Sequence, residues 1–217
     1  MAARIYVVRH AQALYNVDEV YSRPDPELTQ LGHQQAENLC QTFQFFDSVG
    51  LIVASPLRRT IQTTLLAFPK VLNKSYYEEG SGKGVQNGVK LVLNPDLQEA
   101  GAMPCDTGSD RRALETAFPH LDFSTLYSTW PLKEGVYSAD DRTVKERARN
   151  VRGYLRERIA TLKESKRKDI IVVMHGMFTK FLVDDPTIDL PKAGWKSYWI
   201  VEDKDKEDVL VPVDECL

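Results

Sequence analysis

The chain has 217 residues, 42% of them hydrophobic, and a formal net charge of −3, which allows a full core in one domain. The slightly acidic balance excludes a global pull toward nucleic acid or an anionic membrane, so any affinity for phosphate has to be local. Three widely spaced cysteines, Cys40, Cys105 and Cys216, form no CxxC pair, which argues against a disulfide framework and for a reducing compartment.

At the start, Met1-Ala2-Ala3-Arg4 runs directly into an apolar stretch and leaves no room for a signal peptide. Late in the chain, Ile170 to Met174 is too short to span a bilayer. Cys216 is second from the end, whereas a prenylation cysteine stands fourth from the end. The expectation is a soluble cytoplasmic protein, with entry to the nucleus left open.

Ile5 to Val8 is an apolar, mostly β-branched run that stops at Arg9-His10, the pattern of a buried strand ending in two basic residues. Gln12 to Pro26 reads as a polar loop. Leu28-Thr29 offers an N-cap, and Ala36, Leu39, Cys40, Phe43 and Phe46 recur at helical spacing through about residue 47, before Gly50. Leu51 to Ala54 reads as a second buried strand. Ser55-Pro56 then reads as a cap with proline at the first helical position, opening a helix with Ile61, Leu65 and Phe68 on its apolar face. Strand, helix, strand, helix is the pattern of a parallel sheet with crossovers.

Residues 76–88 read as a loop. Gly82-Lys83 is no P-loop, because Tyr77 and Gly84 stand where that motif needs a glycine and a hydroxyl. Lys90 to Leu93 is a third short strand, followed by Asn94-Pro95-Asp96 and Leu97-Gln98-Glu99. Residues 102–138 look irregular, with one short helix from Ser109-Asp110 to about Phe118. The whole stretch 76–138 is expected to be a variable lid or substrate-covering insertion within a single domain of residues 1–217.

A long helix begins at Ser138–Asp141, with Val144, Ala148, Val151, Leu155, Ile159 and Leu162 on one face. Arg147, Arg149, Arg152, Arg156 and Arg158, interleaved with Glu146 and Glu157, are expected on a solvated face rather than on nucleic acid. Ile170 to Met174 is a fourth strand ended by His175-Gly176-Met177, and a helix of about seven residues follows. Tyr198–Val201 and Val209–Pro212 read as late edge strands.

Ionisable residues stand just beyond several of these strands: Arg9 and His10, Arg58 and Arg59, Glu99, and His175. In a parallel sheet the carboxyl ends lie along one edge, so these groups can converge in one crevice. Arginine forks match phosphate oxygens, a neutral imidazole can act as nucleophile, and a carboxylic acid can protonate a leaving alkoxide and then activate water. Two arginines (Arg9 and one of Arg58 and Arg59), two histidines and a carboxylate therefore suit phosphoryl transfer.

The motifs also resemble a family. Arg9-His10-Ala11 with Asn16 resembles the RHG signature of the histidine phosphatase superfamily, whose fold is phosphoglycerate mutase-like. Leu28-Thr29-Gln30-Leu31-Gly32-His33-Gln34-Gln35-Ala36 is similar to its "LTxxGxxQA" segment, and Ser55-Pro56-Leu57-Arg58-Arg59-Thr60-Ile61-Gln62-Thr63 to its "SPLxRxxQT" helix. Val172-Val173-Met174-His175-Gly176 resembles its second-histidine motif. The resemblance implies a three-layer α/β/α sandwich around a mostly parallel sheet. It implies His10 as the phosphorylated nucleophile, with Arg9, Arg59 and His175 binding phosphoryl oxygens. Glu99 is implied as the proton donor, Asp106 and Asp96 being its rivals, and the charge state of His175 stays open. Asn16, Gln12, Ser22, Gly176 and Met177 are the expected substrate-binding residues.

Ala11 replaces the usual glycine, and Gln12-Ala13 replaces a common Glu-Ser/Thr pair, removing one hydroxyl contact to phosphate. That points away from a glycolytic mutase, and the 100–138 region resembles the variable segment of the superfamily's fungal-type phosphatases. Arg58 is expected to be a solvated helix arginine, and His33 and His120 surface residues. Tyr15, Tyr21 and Trp130 are expected to pack rather than touch substrate. His10 and His175 fall short of the three protein ligands of a catalytic zinc. The resulting expectation is a phosphomonoesterase without metal or other cofactor, acting on a small phosphorylated substrate through a phosphohistidine. A mutase and a non-catalytic interaction module of the same fold are the alternatives. The oligomeric state is not legible.

Overall fold

In a computed structural model that describes residues 2–213, the apolar runs pair into one six-stranded sheet of order β3-β2-β4-β1-β5-β6. The strands are β1 (Ile5–Arg9), β2 (Val49–Ala54), β3 (Lys90–Leu93), β4 (Asp169–Met174), β5 (Trp195–Glu202) and β6 (Asp208–Pro212). The first four are mutually parallel, and β5 and β6 are added antiparallel on the β1 side. Cys216 lies outside the described residues.

Because strand side chains alternate between faces, each apolar strand feeds two cores. Tyr6, Val8, Ile52, Ala54, Ile171 and Val173 face one layer, where Ala36 and Leu39 of α2 (Gln30–Thr42) and Ile61 and Ala67 of α3 (Arg58–Ala67) cover them. Ile5, Val7, Leu51, Val53, Ile170 and Val172 face the other. They meet Val144, Ala148, Val151 and Leu155 of α5 (Asp141–Thr161) and Phe178 and Leu182 of α6 (Gly176–Leu182). Two short helices, α1 (Tyr15–Asp18) and α4 (Arg111–Ala117), lie in the connections. This is the expected three-layer α/β/α arrangement, and coverage on both faces explains why the middles of β1, β2 and β4 are apolar on both sides.

Register brings the functional edge into line. Arg9 pairs with Met174 and Ala54 with Val173, and the ladder continues one residue further. His10 N donates to Met174 O at 2.9 Å, Ser55 N to Val173 O at 3.0 Å and Asn94 N to Ala54 O at 2.9 Å. The residues leaving β1, β2, β3 and β4 are thereby stacked side by side.

Five local expectations are corrected. Helix α2 stops at Thr42 rather than near 47, because Phe43 turns extended. The Phe43 and Phe45 rings then meet Tyr6 at centroid distances of 5.2 and 5.3 Å, an aromatic cluster that also takes in Trp195. Ser55-Pro56 does not cap α3. The helix begins at Arg58, and its Arg58 amide donates to Asp25 Oδ1 at 2.9 Å while Ser55 Oγ faces His175. Arg58 is not merely solvated, since its guanidinium pairs with Glu27. Arg147 is buried instead of lying on the solvated face of α5; its guanidinium donates to the carbonyls of Asp96, Gln98 and Glu99. Strand β5 is interior, between β1 and β6, so β6 alone of that pair is an edge.

In the 102–138 stretch, Phe123, Leu126 and Trp130 are buried in the α2/α3 core. A Cβ at Gly108 would fall 2.0 Å from the Trp130 ring, so the glycine is what lets the indole close against the chain.

Candidate active site

His10 leaves β1 fully buried, at 1% exposure. Its Nδ1 lies 2.7 Å from the Ala11 carbonyl oxygen. A carbonyl only accepts, so Nδ1 carries the proton and Nε2 presents a lone pair. Arg59 Nε donates to that Nε2 at 3.3 Å, and the Tyr15 hydroxyl lies 3.4 Å from it. Burial first, then the charges of Arg59, Lys192 and Arg9, hold the His10 pKa well below the ordinary imidazole value. The ring is neutral and its free nitrogen faces cations.

The loop after His10 is held by the motif residues around it. Ala11 N donates to Thr63 Oγ1 at 3.0 Å, Gln12 N to Gln35 Oε1 at 2.8 Å and Leu28 N to Gln62 Oε1 at 2.8 Å. A Cβ at Gly32 would sit 2.0 Å from the Gln12 carbonyl oxygen, so that helix can approach the loop only with glycine there. The side chain of Gln12 accepts from Thr29 Oγ1 at 2.7 Å, and Asn16 Oδ1 accepts from Ala13 N at 3.1 Å. Both are engaged in shaping the loop. Ser22 is exposed on the same loop, whose Tyr21 carbonyl accepts from Cys105 N at 3.0 Å.

Arg59, on the first turn of α3, is wholly buried. Beyond His10, it donates from Nη1 to Cys105 O at 2.8 Å, and Nη2 lies 3.7 Å from Asp106 Oδ1. Arg9 donates from Nη1 to Asp189 Oδ1 at 2.8 Å and to Leu190 O at 2.5 Å. A Cβ at Gly176 would stand 2.9 Å from the Arg9 guanidinium, so glycine here makes room for that side chain.

His175, the residue preceding α6, is also wholly buried, with its ring 5.2 Å from that of His10. Its Nε2 shares a 2.9 Å hydrogen bond with Ser55 Oγ. Burial and the neighbouring charge of Arg59 keep its pKa well below the ordinary value, so it is a neutral imidazole. Among the described residues, Arg9 Nε, Arg59 Nη2 and His175 Nδ1 are buried without a hydrogen-bond partner.

Glu99 lies at the N-terminal turn of α6, 6% exposed. Its Oε1 accepts from Ala100 N and Phe178 N, both at 2.8 Å, and Oε2 from Met177 N at 3.3 Å. Met177 reaches this site through its amide, while its side chain is exposed. Asp106 is the adjacent acid; burial and then the charge of Glu99 raise its pKa. Asp96 sits apart, in a crevice with Gly135, Thr143 and Arg147.

Two lysines escaped the sequence reading. Lys133 donates to the Glu99 carbonyl at 2.9 Å, and burial brings its pKa down to about 7. Lys192 stands over the Tyr15 ring at 5.9 Å, and its pKa is brought down to about 8. Both lie in irregular connections, where spacing carries no code. Buried Asp25 was missed for the same reason; its two oxygens accept from Arg58 N and Ser109 N, each at 2.9 Å, tying α3 to the 102–138 stretch. Among the described residues no three His, Cys, Asp or Glu side chains are grouped to hold a metal ion. No described helix is long and apolar enough to cross a membrane.

Comparison with known proteins agrees with this layout. The model of the family described as "Histidine phosphatase superfamily (branch 1)" matches residues 5–75. A Schizosaccharomyces pombe protein named "Probable phosphatase" is 31% identical over 198 residues, 87% of this chain and 83% of its own length. The Arabidopsis thaliana "Phosphoglycerate mutase-like protein 1" is 28% identical over 199 residues, covering 80% of this chain and 68% of its own. Among solved structures, "Mycobacterial hydrolase 1" superposes with a TM-score of 0.59 at 18% identity, covering 98% of this chain and 97% of that one, a likeness of fold. With the family model matching its first strands and a relative 31% identical along most of its length, the chain belongs to the histidine phosphatase superfamily.

Proposed function

We propose that this protein is a phosphomonoesterase that passes a phosphoryl group from a small phosphate ester to His10 Nε2 and then to water, without a metal. One observation carries the reading. A neutral imidazole whose tautomer is set by Ala11 O lies among buried nitrogens of Arg9, Arg59 and His175 that lack partners. A buried donor without a partner costs about 1–3 kcal/mol, and a phosphoryl group brings non-bridging oxygens that engage such donors.

In the first step the Nε2 lone pair attacks phosphorus and the ester P–O bond breaks. Glu99 protonates the leaving oxygen. In the second, Glu99 takes a proton from water, the water oxygen bonds to phosphorus, and the P–Nε2 bond breaks to release phosphate. Arg9 and Arg59 meet the charge on the phosphoryl oxygens throughout, with no reorganisation at the moment of reaction. His175 contributes a neutral hydrogen bond held in place by Ser55. The 102–138 stretch covers the site and supplies substrate recognition, a role supported by Cys105 O, Asp106 and Lys133 reaching Arg59 and Glu99.

The test is His10→Ala assayed on an aryl phosphate with chelator present. Turnover should fall by about 10³-fold or more, and the acid-labile, alkali-stable phosphate that the wild type traps after an alkaline quench should be absent from the variant. Turnover retained by the variant overturns the mechanism.

A further inference from the structure

Segment 189–194 is seated against the end of β1 more tightly than a plain connection requires. Gly194 O accepts from Arg9 N at 3.0 Å, Ala193 N donates to His10 O at 3.3 Å, and Asp189 and Leu190 O hold the Arg9 guanidinium. Ala193 adopts a left-handed φ of 56°, a conformation that a non-glycine residue keeps only when its surroundings enforce it. Lys192 lies between these anchors, half-buried, and among the described residues no hydrogen bond or ion pair engages its ammonium group. Lys192 Nζ lies 5.9 Å and Arg59 Cζ 5.1 Å from the centroid of the Tyr15 ring, whose hydroxyl is 3.4 Å from the nucleophilic nitrogen of His10.

We propose that Lys192 is a further catalytic residue of this site, its ammonium group donating a hydrogen bond to a phosphoryl oxygen while His10 accepts the phosphorus. The proposal rests on the phosphatase reading of the same pocket. A half-buried ammonium held beside two arginines, without a carboxylate of its own, is unfavourable until an anion arrives. A phosphate monoester supplies that anion. Lys192 makes and breaks no covalent bond. It keeps its protons, offsets charge on the oxygens and, by its own charge, helps hold His10 neutral.

The groups facing it set the pH range. Burial, Arg9 and Arg59 bring Lys192 down to about 8, against the opposing pull of Glu99 and Asp189, while Tyr15 and neutral His10 complete its surroundings. The charged form binds phosphate, so kcat/KM should fall as pH rises through about 8. Once phosphate is bound the ammonium is favoured, and the corresponding limb in kcat should lie higher.

The experiment compares wild type, Lys192→Gln and Lys192→Arg in two measurements: inorganic phosphate binding by titration calorimetry, and the pH profile of aryl phosphate hydrolysis. At pH 7, Lys192→Gln should bind phosphate about tenfold more weakly or worse, with an unchanged melting temperature. Its alkaline limb near pH 8 should vanish and its acid limb should move to higher pH, since His10 loses a neighbouring positive charge. Lys192→Arg should bind phosphate better than the glutamine variant and also lack the limb, because guanidinium stays charged. Phosphate affinity and pH profile unchanged in Lys192→Gln would sink the assignment. The phosphohistidine mechanism stands or falls separately, on His10→Ala, because phosphate binding is read without turnover.

Discussion

Two buried arginines separate the reactive side of the pocket from its support. Arg59 and Arg147 are 0% and 3% exposed, and each comes from a helix packed on the sheet, α3 and α5 on opposite faces. The Arg59 guanidinium spends one nitrogen on Cys105 O and turns Nε to His10, leaving Nη2 without a hydrogen bond among the described residues. The Arg147 guanidinium also leaves one nitrogen, Nε, without a hydrogen bond among the described residues, but it directs Nη1 and Nη2 to the carbonyls of residues 96, 98 and 99 and lies 4.3 Å over the Phe178 ring. Burial of a cation therefore does not by itself mark a binding group. What differs is where the donors go: one set faces the unprotonated nitrogen of His10, the other secures the backbone that carries Glu99.

The sharpest way to break this contrast is to replace each arginine by methionine. Arg59→Met should lower kcat/KM by about 10²–10³-fold, the range for removing one preorganised donor to developing charge, with a small change in melting temperature. Arg147→Met should do the reverse. Three carbonyls lose a charged donor, so stability should fall by about 2–3 kcal/mol while the folded fraction stays active. Denaturant titrations beside steady-state kinetics separate the two outcomes. A stable, inactive Arg147 variant would put that residue in the site.

Leaving-group dependence sharpens the assignment of the acid that Arg147 supports. Glu99→Gln should depress hydrolysis of an alkyl phosphate about 10²-fold and that of an aryl phosphate with a good leaving group much less. Asp106→Asn should affect both substrates alike, through its contact with Arg59. If the alkyl-selective loss follows Asp106 instead, proton delivery moves to that residue.

The smallest effect concerns stability against pH. His10 and His175 have folded-state pKa values below that of the unfolded chain, so between the two the unfolded chain binds more protons. Their contribution is complete above the ordinary imidazole value of about 6.5 and is lost as pH falls below it. Each should contribute up to about 1.4 kcal/mol per pH unit. His175→Gln should flatten the fall between pH 6 and 5 by about that amount in chemical denaturation. An unaltered slope would mean that the imidazole is not held neutral.

Much of this pocket was legible because its parts sit at strand ends. The apolar runs at 5–8, 51–54 and 170–174 read as buried strands, and in a parallel sheet the polar residues after them emerge at the same edge. The motif residues Thr29, Gly32, Gln35, Gln62 and Thr63 were readable as a set, and their hydrogen bonds and close approach explain why: they shape the loop that carries His10. Ser55 was misread as a cap because serine before proline has that local preference. Its partner, His175, is 120 residues away and invisible to local rules.

The amino-acid sequence by itself determined the layers, the strand ends and the family, since these follow from side-chain period and ordered local motifs. Only the tertiary structure decided which charges matter. Whether Arg147 meets water or carbonyls, and whether Lys192 is a loop residue or a neighbour of His10, depends on which distant segment packs against it. A charge far from its partners in sequence is desolvated, paired or left free only by the fold that surrounds it.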